Sequence, residues 1–111
     1  MKKLEDLIMK EVRRAVSSMA DYTKDTITLS QISINRHSDN DIDMSFKLFF
    51  PIHGYVMILD ARGTKSKYSG LVIKLSLYNS DKTNLLLQYN TNCEINMTDA
   101  LNNSVLSGMI L

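Results

Sequence analysis

The chain has 111 residues, of which 44% are hydrophobic and 23% are charged, and its formal net charge is +1. This composition is typical of one soluble globular domain with a single core, so we expect one domain over residues 1–111. The near-zero charge argues against broad electrostatic capture of nucleic acid or of a membrane surface, and it mildly favours self-association.

The N-terminal segment and the cysteine content predict a cytoplasmic protein. The first residues begin like the basic region of a signal peptide, but Glu5, Asp6 and Lys10 interrupt any apolar segment that could follow. No stretch approaches the ~20 apolar residues that a membrane-spanning helix needs. Because Cys93 is the sole cysteine, no intrachain disulfide can form, which fits a reducing compartment. We therefore expect no membrane partner.

Residues 2–20 predict an amphipathic α-helix. Their apolar side chains recur at the i, i+3, i+4 and i+8 spacing that forms one stripe along a helix. The stripe consists of Leu4, Leu7, Ile8, Val12, Ala15, Val16 and Met19. Glu5 and Asp6 lie near the start while Arg13 and Arg14 lie further along, which is the order that the helix dipole favours. The polar residues 21–25 then predict a loop.

Residues 26–97 predict an antiparallel β-meander. The first strand is expected over residues 26–34, where β-branched residues alternate with polar ones. Its phase changes near Ser30–Gln31, and a β-bulge there would keep Ile32 and Ile34 on the same apolar face as the earlier residues.

The second strand, from Ile42 to Phe50, shows the clearest alternation of apolar and polar residues in the chain. This alternation is typical of a strand with one buried face. Pro51 ends the strand and Gly54 begins the next, so we expect a hairpin with a four-residue connection. The third strand is predicted over Tyr55–Ala61.

The next turn is predicted at Arg62–Ser66, followed by a strand over Lys67–Tyr78 and another over Leu85–Tyr89. Residues 83–97 fit either one long bent strand or two strands. An apolar stripe after Thr98 predicts a short C-terminal helix. The fold class is therefore α+β, with an N-terminal amphipathic helix packed on a five- or six-stranded antiparallel meander and a short C-terminal helix.

The third, fourth and fifth strands contain continuous apolar runs rather than alternating residues. Such runs, at Tyr55–Leu59, Leu71–Ile73 and Leu85–Leu87, are typical of strands that are covered on both faces. One helix covers one face of a five-stranded sheet, so we expect the second face to meet another subunit.

The residues that could carry catalysis do not form a recognisable set. Cys93 lies in phase with apolar neighbours and is expected to be inert packing. His53 is the one candidate base that can be named. The acidic segment that begins at Asp39 lacks the glycine and glutamate of an EF-hand, because Met44 and Phe50 occupy those positions. We therefore expect no enzymatic activity, no catalytic residues, no metal site and no cofactor.

The most chemically suggestive segment is the predicted turn with Arg62, Lys65 and Lys67, next to Tyr68. Cations beside a glycine turn can hold a phosphate group, although the segment lacks the full pattern of a P-loop. With Arg36 added, these residues form our predicted ligand-binding set. It would hold a nucleotide or another phosphate-bearing small molecule at a subunit interface.

Two hypotheses follow for the function. The first is a small non-enzymatic binding protein that acts as a homo-oligomer; free-standing domains of this kind are associated with phages and mobile elements, where they inhibit or sequester a host protein. The alternative is a binder of a nucleotide or other phosphate-bearing small molecule. Nucleic acid is not an expected partner in either case.

Overall fold

The computed structural model describes residues 3–91 and 100–101, and it shows one helix packed on a five-stranded antiparallel sheet. The elements are α1 (Leu4–Thr23), β1 (Thr28–Ser38), β2 (Asp41–Phe50), β3 (Tyr55–Ser66), β4 (Gly70–Asn79) and β5 (Leu85–Asn90). The spatial order of the strands is the same as their order in the chain. The predicted α+β meander is confirmed, while Cys93 and most of the predicted C-terminal helix lie outside the described residues.

The core lies between α1 and the face of the sheet that the helix covers, which we call the inner face. Alternate residues of β2 are directed into it, from Ile42 to Phe50, and all five are buried. The partly buried Ala100 and the buried Leu101 pack against the same core. This burial confirms that the strict alternation in β2 marks a strand with one buried face.

The helix ends three residues later than the sequence pattern predicts. Thr23 is buried, and its hydroxyl donates a hydrogen bond to the carbonyl oxygen of Met19 at 2.7 Å. Lys24 then turns the chain away in the left-handed conformation, with φ at 55°. The helix therefore ends in the left-handed conformation that commonly terminates helices, but with lysine where glycine is usual.

The segment Arg62–Ser66 is part of β3, so its prediction as a turn was wrong. The turn between β3 and β4 lies after Ser66, and β4 begins at Gly70, where φ is +66°. Gly63 is buried on the inner face beneath α1, and a Cβ atom added there would lie 2.6 Å from the Ile8 side chain. Glycine occurs at this position because the helix approaches the strand closely, not because the chain turns.

The predicted β-bulge in β1 is present, but it lies one position later than expected. The pairing of β1 with β2 shifts between Gln31 and Ser33, so Ile32 is the bulged residue. Leu29 and Ile34 both pack against the core, whereas the side chain of Ile32 is 56% exposed. The bulge therefore keeps Ile34 in phase with Leu29 at the cost of leaving Ile32 in solvent.

The hairpin between β2 and β3 has the predicted four-residue connection, from Pro51 to Gly54. The amide of Gly54 donates a hydrogen bond to the carbonyl oxygen of Phe50 at 2.7 Å, with φ of Gly54 at +73°. Proline ends β2 because it cannot donate a ladder hydrogen bond, and glycine tolerates the positive φ that closes the turn.

Candidate functional site

The face of the sheet opposite α1, which we call the outer face, carries an apolar band at one end. No helix or strand within residues 3–91 and 100–101 covers this face. Cross-strand pairing places the side chains of the band next to one another, and Phe49 and Leu85 are 42% and 51% exposed. The band consists of Phe49, Val56, Ile58, Tyr78 and Leu85.

The middle of the outer face is polar and forms a concavity of about 430 Å³, which we call the polar concavity. The Ser45 hydroxyl donates a hydrogen bond to Asp60 Oδ1 at 2.7 Å, and Lys82 Nζ donates to Asp60 Oδ2 at 2.6 Å. The hydrogen bond with Asp60 raises the pKa of Lys82. Lys82 Nζ also lies 5.1 Å from the ring centroid of Tyr78, so it connects the polar concavity to the apolar band.

Arg62 lies in the same concavity, and its charge is matched by two carboxylates of β2. Its Nε and Nη2 atoms donate to the two carboxylate oxygens of Asp41 at 3.1 and 2.9 Å, and Asp43 lies 3.6 Å from Nε. The hydrogen bond with Asp41 raises the pKa of Arg62, followed by the charges of both aspartates. An anionic ligand at Arg62 would have to compete with these two carboxylates.

A second cavity, of about 530 Å³, lies where the start of α1 meets the ends of β1 and β3; we call it the basic cavity. Its apolar lining comes from Leu4, Leu7 and Ile42. Its polar lining consists of Lys3, Glu5, Arg36, Ser38, Asp39, Asn40 and Lys65. The turn between β1 and β2 is held against β3 at this point, because the Lys65 amide donates a hydrogen bond to the Asn40 carbonyl oxygen at 2.9 Å.

The five predicted ligand-binding residues are divided among three places. Arg36 and Lys65 line the basic cavity, and Arg62 lines the polar concavity. Lys67 and Tyr68 lie in the turn between β3 and β4, where Tyr68 is fully exposed. The structure therefore brings two of the five together and separates them from the others.

Lys3 is the third cation of the basic cavity, and the sequence analysis did not identify it. It lies 33 positions before Arg36 and 62 positions before Lys65 in the chain. Spacing alone carries no signal for such a grouping, because it depends on how the helix crosses the sheet.

The one candidate base, His53, has a structural partner. Its Nδ1 lies 2.7 Å from Asp25 Oδ2, and its ring stacks on Tyr55 with centroids 6.3 Å apart. The buried Asp25 carboxylate also accepts backbone hydrogen bonds from Thr26, Ile52 and His53. Burial by itself raises the pKa of Asp25, but the hydrogen bond with His53 and those from the backbone outweigh it and lower the pKa below 3.8. This pair joins the end of α1 to the hairpin between β2 and β3.

Within the described part of the chain, no three histidine, cysteine, aspartate or glutamate side chains are grouped so that they could hold a metal ion. Among those same residues, α1 is too polar to cross a membrane, and no other helix has the required length. Compared with known protein families, with curated proteins and with solved structures, the chain matches none of them.

Proposed function

We propose that the chain is a small non-enzymatic binding protein that acts as a homo-oligomer, with the outer face as the contact between subunits. The observation that carries this proposal is the apolar band, whose Phe49 and Leu85 are about half exposed in the single chain. Contiguous apolar patches on soluble proteins usually mark an interaction surface.

A second copy of the chain fits the outer face because the part of the band on β3 would then meet itself. Two sheets that pack face to face keep their strands nearly aligned. A twofold axis along β3 would lay β2 over the partner's β4, and each cross-strand row over the same row of the partner. Ile58 and Val56 of β3 would meet the same residues of the partner. In the Ile58 row, Tyr78 would lie over the partner's Lys47, and Leu85 over the partner's Ser30. Such an isologous contact is the commonest form of homodimer.

The charges of the outer face are also arranged to suit a second copy. Asp43 of β2 and Lys74 of β4 lie in one cross-strand row, on either side of Arg62. The same twofold axis would place Asp43 opposite the partner's Lys74, and Lys74 opposite the partner's Asp43. Arg62 would face the partner's Arg62, but each of these charges is matched within its own chain by Asp41 and Asp43. Lys74 forms no ion pair within the described residues, so this contact would supply a partner for its charge. Complementary charges of this kind fix the register of an interface.

The oligomeric state tests the proposal. We expect light scattering after size exclusion to report a dimer at micromolar concentration, and Ile58→Lys to convert it to a folded monomer, because a buried unpaired lysine opposes association. Leu85→Lys should act in the same direction. Leu71→Lys is the matched control, since Leu71 is 39% exposed but lies at the other end of the sheet, where it pairs with Lys65.

A strictly monomeric parent protein at micromolar concentration would overturn the homo-oligomer. If such a monomer instead formed a stoichiometric complex with one host protein, the band would be the surface through which this chain inhibits or sequesters that protein. A Leu71→Lys variant that dissociated as readily as Ile58→Lys would also contradict the proposed interface.

A further inference from the structure

We infer that the basic cavity binds a phosphate-bearing small molecule with an apolar body, most simply a nucleoside monophosphate. The cavity is formed within one chain, so this inference does not rest on the proposed self-association. Its volume of about 530 Å³ lies within the usual range of small-molecule sites. Such sites combine an apolar surface with a few polar groups that converge on the ligand, and this cavity has both.

The three cations of the cavity supply the phosphate-binding groups. Arg36 donates hydrogen bonds through Nε and Nη2 to Glu5 Oε2, at 3.3 and 2.8 Å, which holds the guanidinium at the cavity wall. Lys3 and Lys65 form no ion pair within the described residues, so their charges are available to a ligand. Charge-assisted hydrogen bonds from arginine and lysine are the usual means of holding phosphate.

The rest of the lining favours a ligand that is more than a bare anion. Glu5 and Asp39 offset two of the three cations of the cavity, so a phosphate group alone gains little attraction there and other contacts must add affinity. Carboxylates accept hydrogen bonds from hydroxyl and amino groups, which a ribose and a base present. The partly exposed Leu7, backed by the buried Leu4 and Ile42, offers an apolar surface for the flat face of a base. A phosphate at one end and donor groups on an apolar body describe a nucleotide.

Isothermal titration of the full chain with AMP, GMP, CMP and UMP tests the inference, with inorganic phosphate and adenosine as partial probes. We expect at least one monophosphate to bind more tightly than either partial probe. Lys65→Gln should weaken that binding about tenfold or more, the loss typical of one charge-assisted hydrogen bond. Lys3→Gln provides an independent change in the same cavity and should weaken binding in the same direction.

Lys67→Gln is the matched control, because it makes the same change two residues away, in the turn between β3 and β4 and outside the cavity lining. We expect it to bind like the parent chain. The inference is overturned if none of the four nucleotides binds, or if Lys67→Gln loses as much affinity as Lys65→Gln. Binding should persist in the Ile58→Lys variant, so a failure here is distinguishable from a failure of the dimer.

Discussion

Ile8 of α1 lies directly over Gly63 of β3, so closely that a Cβ atom on Gly63 would be 2.6 Å from both Cγ1 and Cδ1 of Ile8. Ile8 is completely buried, so its side chain is surrounded by the core and has little room to move away. This contact lets the helix lie close against the middle strand of the sheet. The position of α1, and with it the basic cavity at the start of the helix, depends on residue 63 being a glycine, which has no side chain.

We expect Gly63→Ala to lower the free energy of unfolding by about 1–3 kcal/mol, because the added methyl group overpacks the core under Ile8. Urea denaturation followed by circular dichroism measures this loss. Combining it with Ile8→Ala should give less than the sum of the two single losses, since the smaller side chain makes room for the methyl group. Strictly additive losses would show that the two residues do not oppose each other.

Phe46 and Phe49 lie on opposite faces of β2, so we expect the same substitution to destabilise the protein strongly at one position and weakly at the other. Phe46 is completely buried beneath α1, so Phe46→Ala should lower the free energy of unfolding by about 3–5 kcal/mol. Phe49 is 42% exposed on the outer face, so Phe49→Ala should lower the free energy of unfolding of the monomer far less. Equal losses would contradict the assignment of the outer face as solvent-facing in a single chain.

The depressed pKa of Asp25 predicts how stability depends on pH. Because its carboxylate is favoured by folding, its contribution is fully present above the ordinary pKa of 3.8 and is lost as the pH falls through the lower pKa of the folded state. Asp25→Asn should therefore destabilise the protein at neutral pH, and the difference from the parent chain should shrink in acid.

Thermal unfolding between neutral pH and acid measures this difference. Asp39→Asn is a suitable control, because Asp39 is exposed in the turn between β1 and β2. If the unfolding temperatures of Asp25→Asn and the parent chain differed by the same amount at every pH, the carboxylate charge would be excluded as the source of the difference.

Lys24 is a position where a substitution should stabilise the protein. A non-glycine residue in the left-handed conformation is strained by its Cβ atom, and Lys24 has φ at 55°. Lys24→Gly removes this strain but adds freedom to the unfolded chain, so we expect a net gain of about 0.5–1 kcal/mol. Lys82→Gly, at φ 61°, is the comparison that should not gain, because it also loses the contact with Asp60.

Local chemistry explains which parts of the fold were predictable. Pro51 and Gly54 act on their own backbone, so they mark the hairpin between β2 and β3 without reference to the rest of the chain. The alternation from Ile42 to Phe50 likewise predicts a strand with one buried face, because successive side chains of a strand point to opposite faces. The apolar stripe of α1 is predictable from sequence because its residues recur with the period of the α-helix.

Gly63 shows why other parts of the fold could not be predicted from the sequence. A glycine among polar and basic residues has the composition of a turn, and only the helix packed above it reveals a close approach. The predicted ligand set followed that misreading, since it joined residues that are neighbours in the chain. In β3, side chains alternate between faces, so Arg62 and Lys65 belong to different sites.

The sequence by itself determined the N-terminal helix and the succession of five strands, because backbone turns and side-chain periodicity act over a few residues. It also determined that the strands would carry more apolar surface than one helix covers. Only the tertiary structure decided that this surplus is a band at one end of the outer face, and that Lys3, Arg36 and Lys65 share one cavity. Those groupings join residues far apart in the chain, and they depend on the register of the strands and the line along which α1 crosses them.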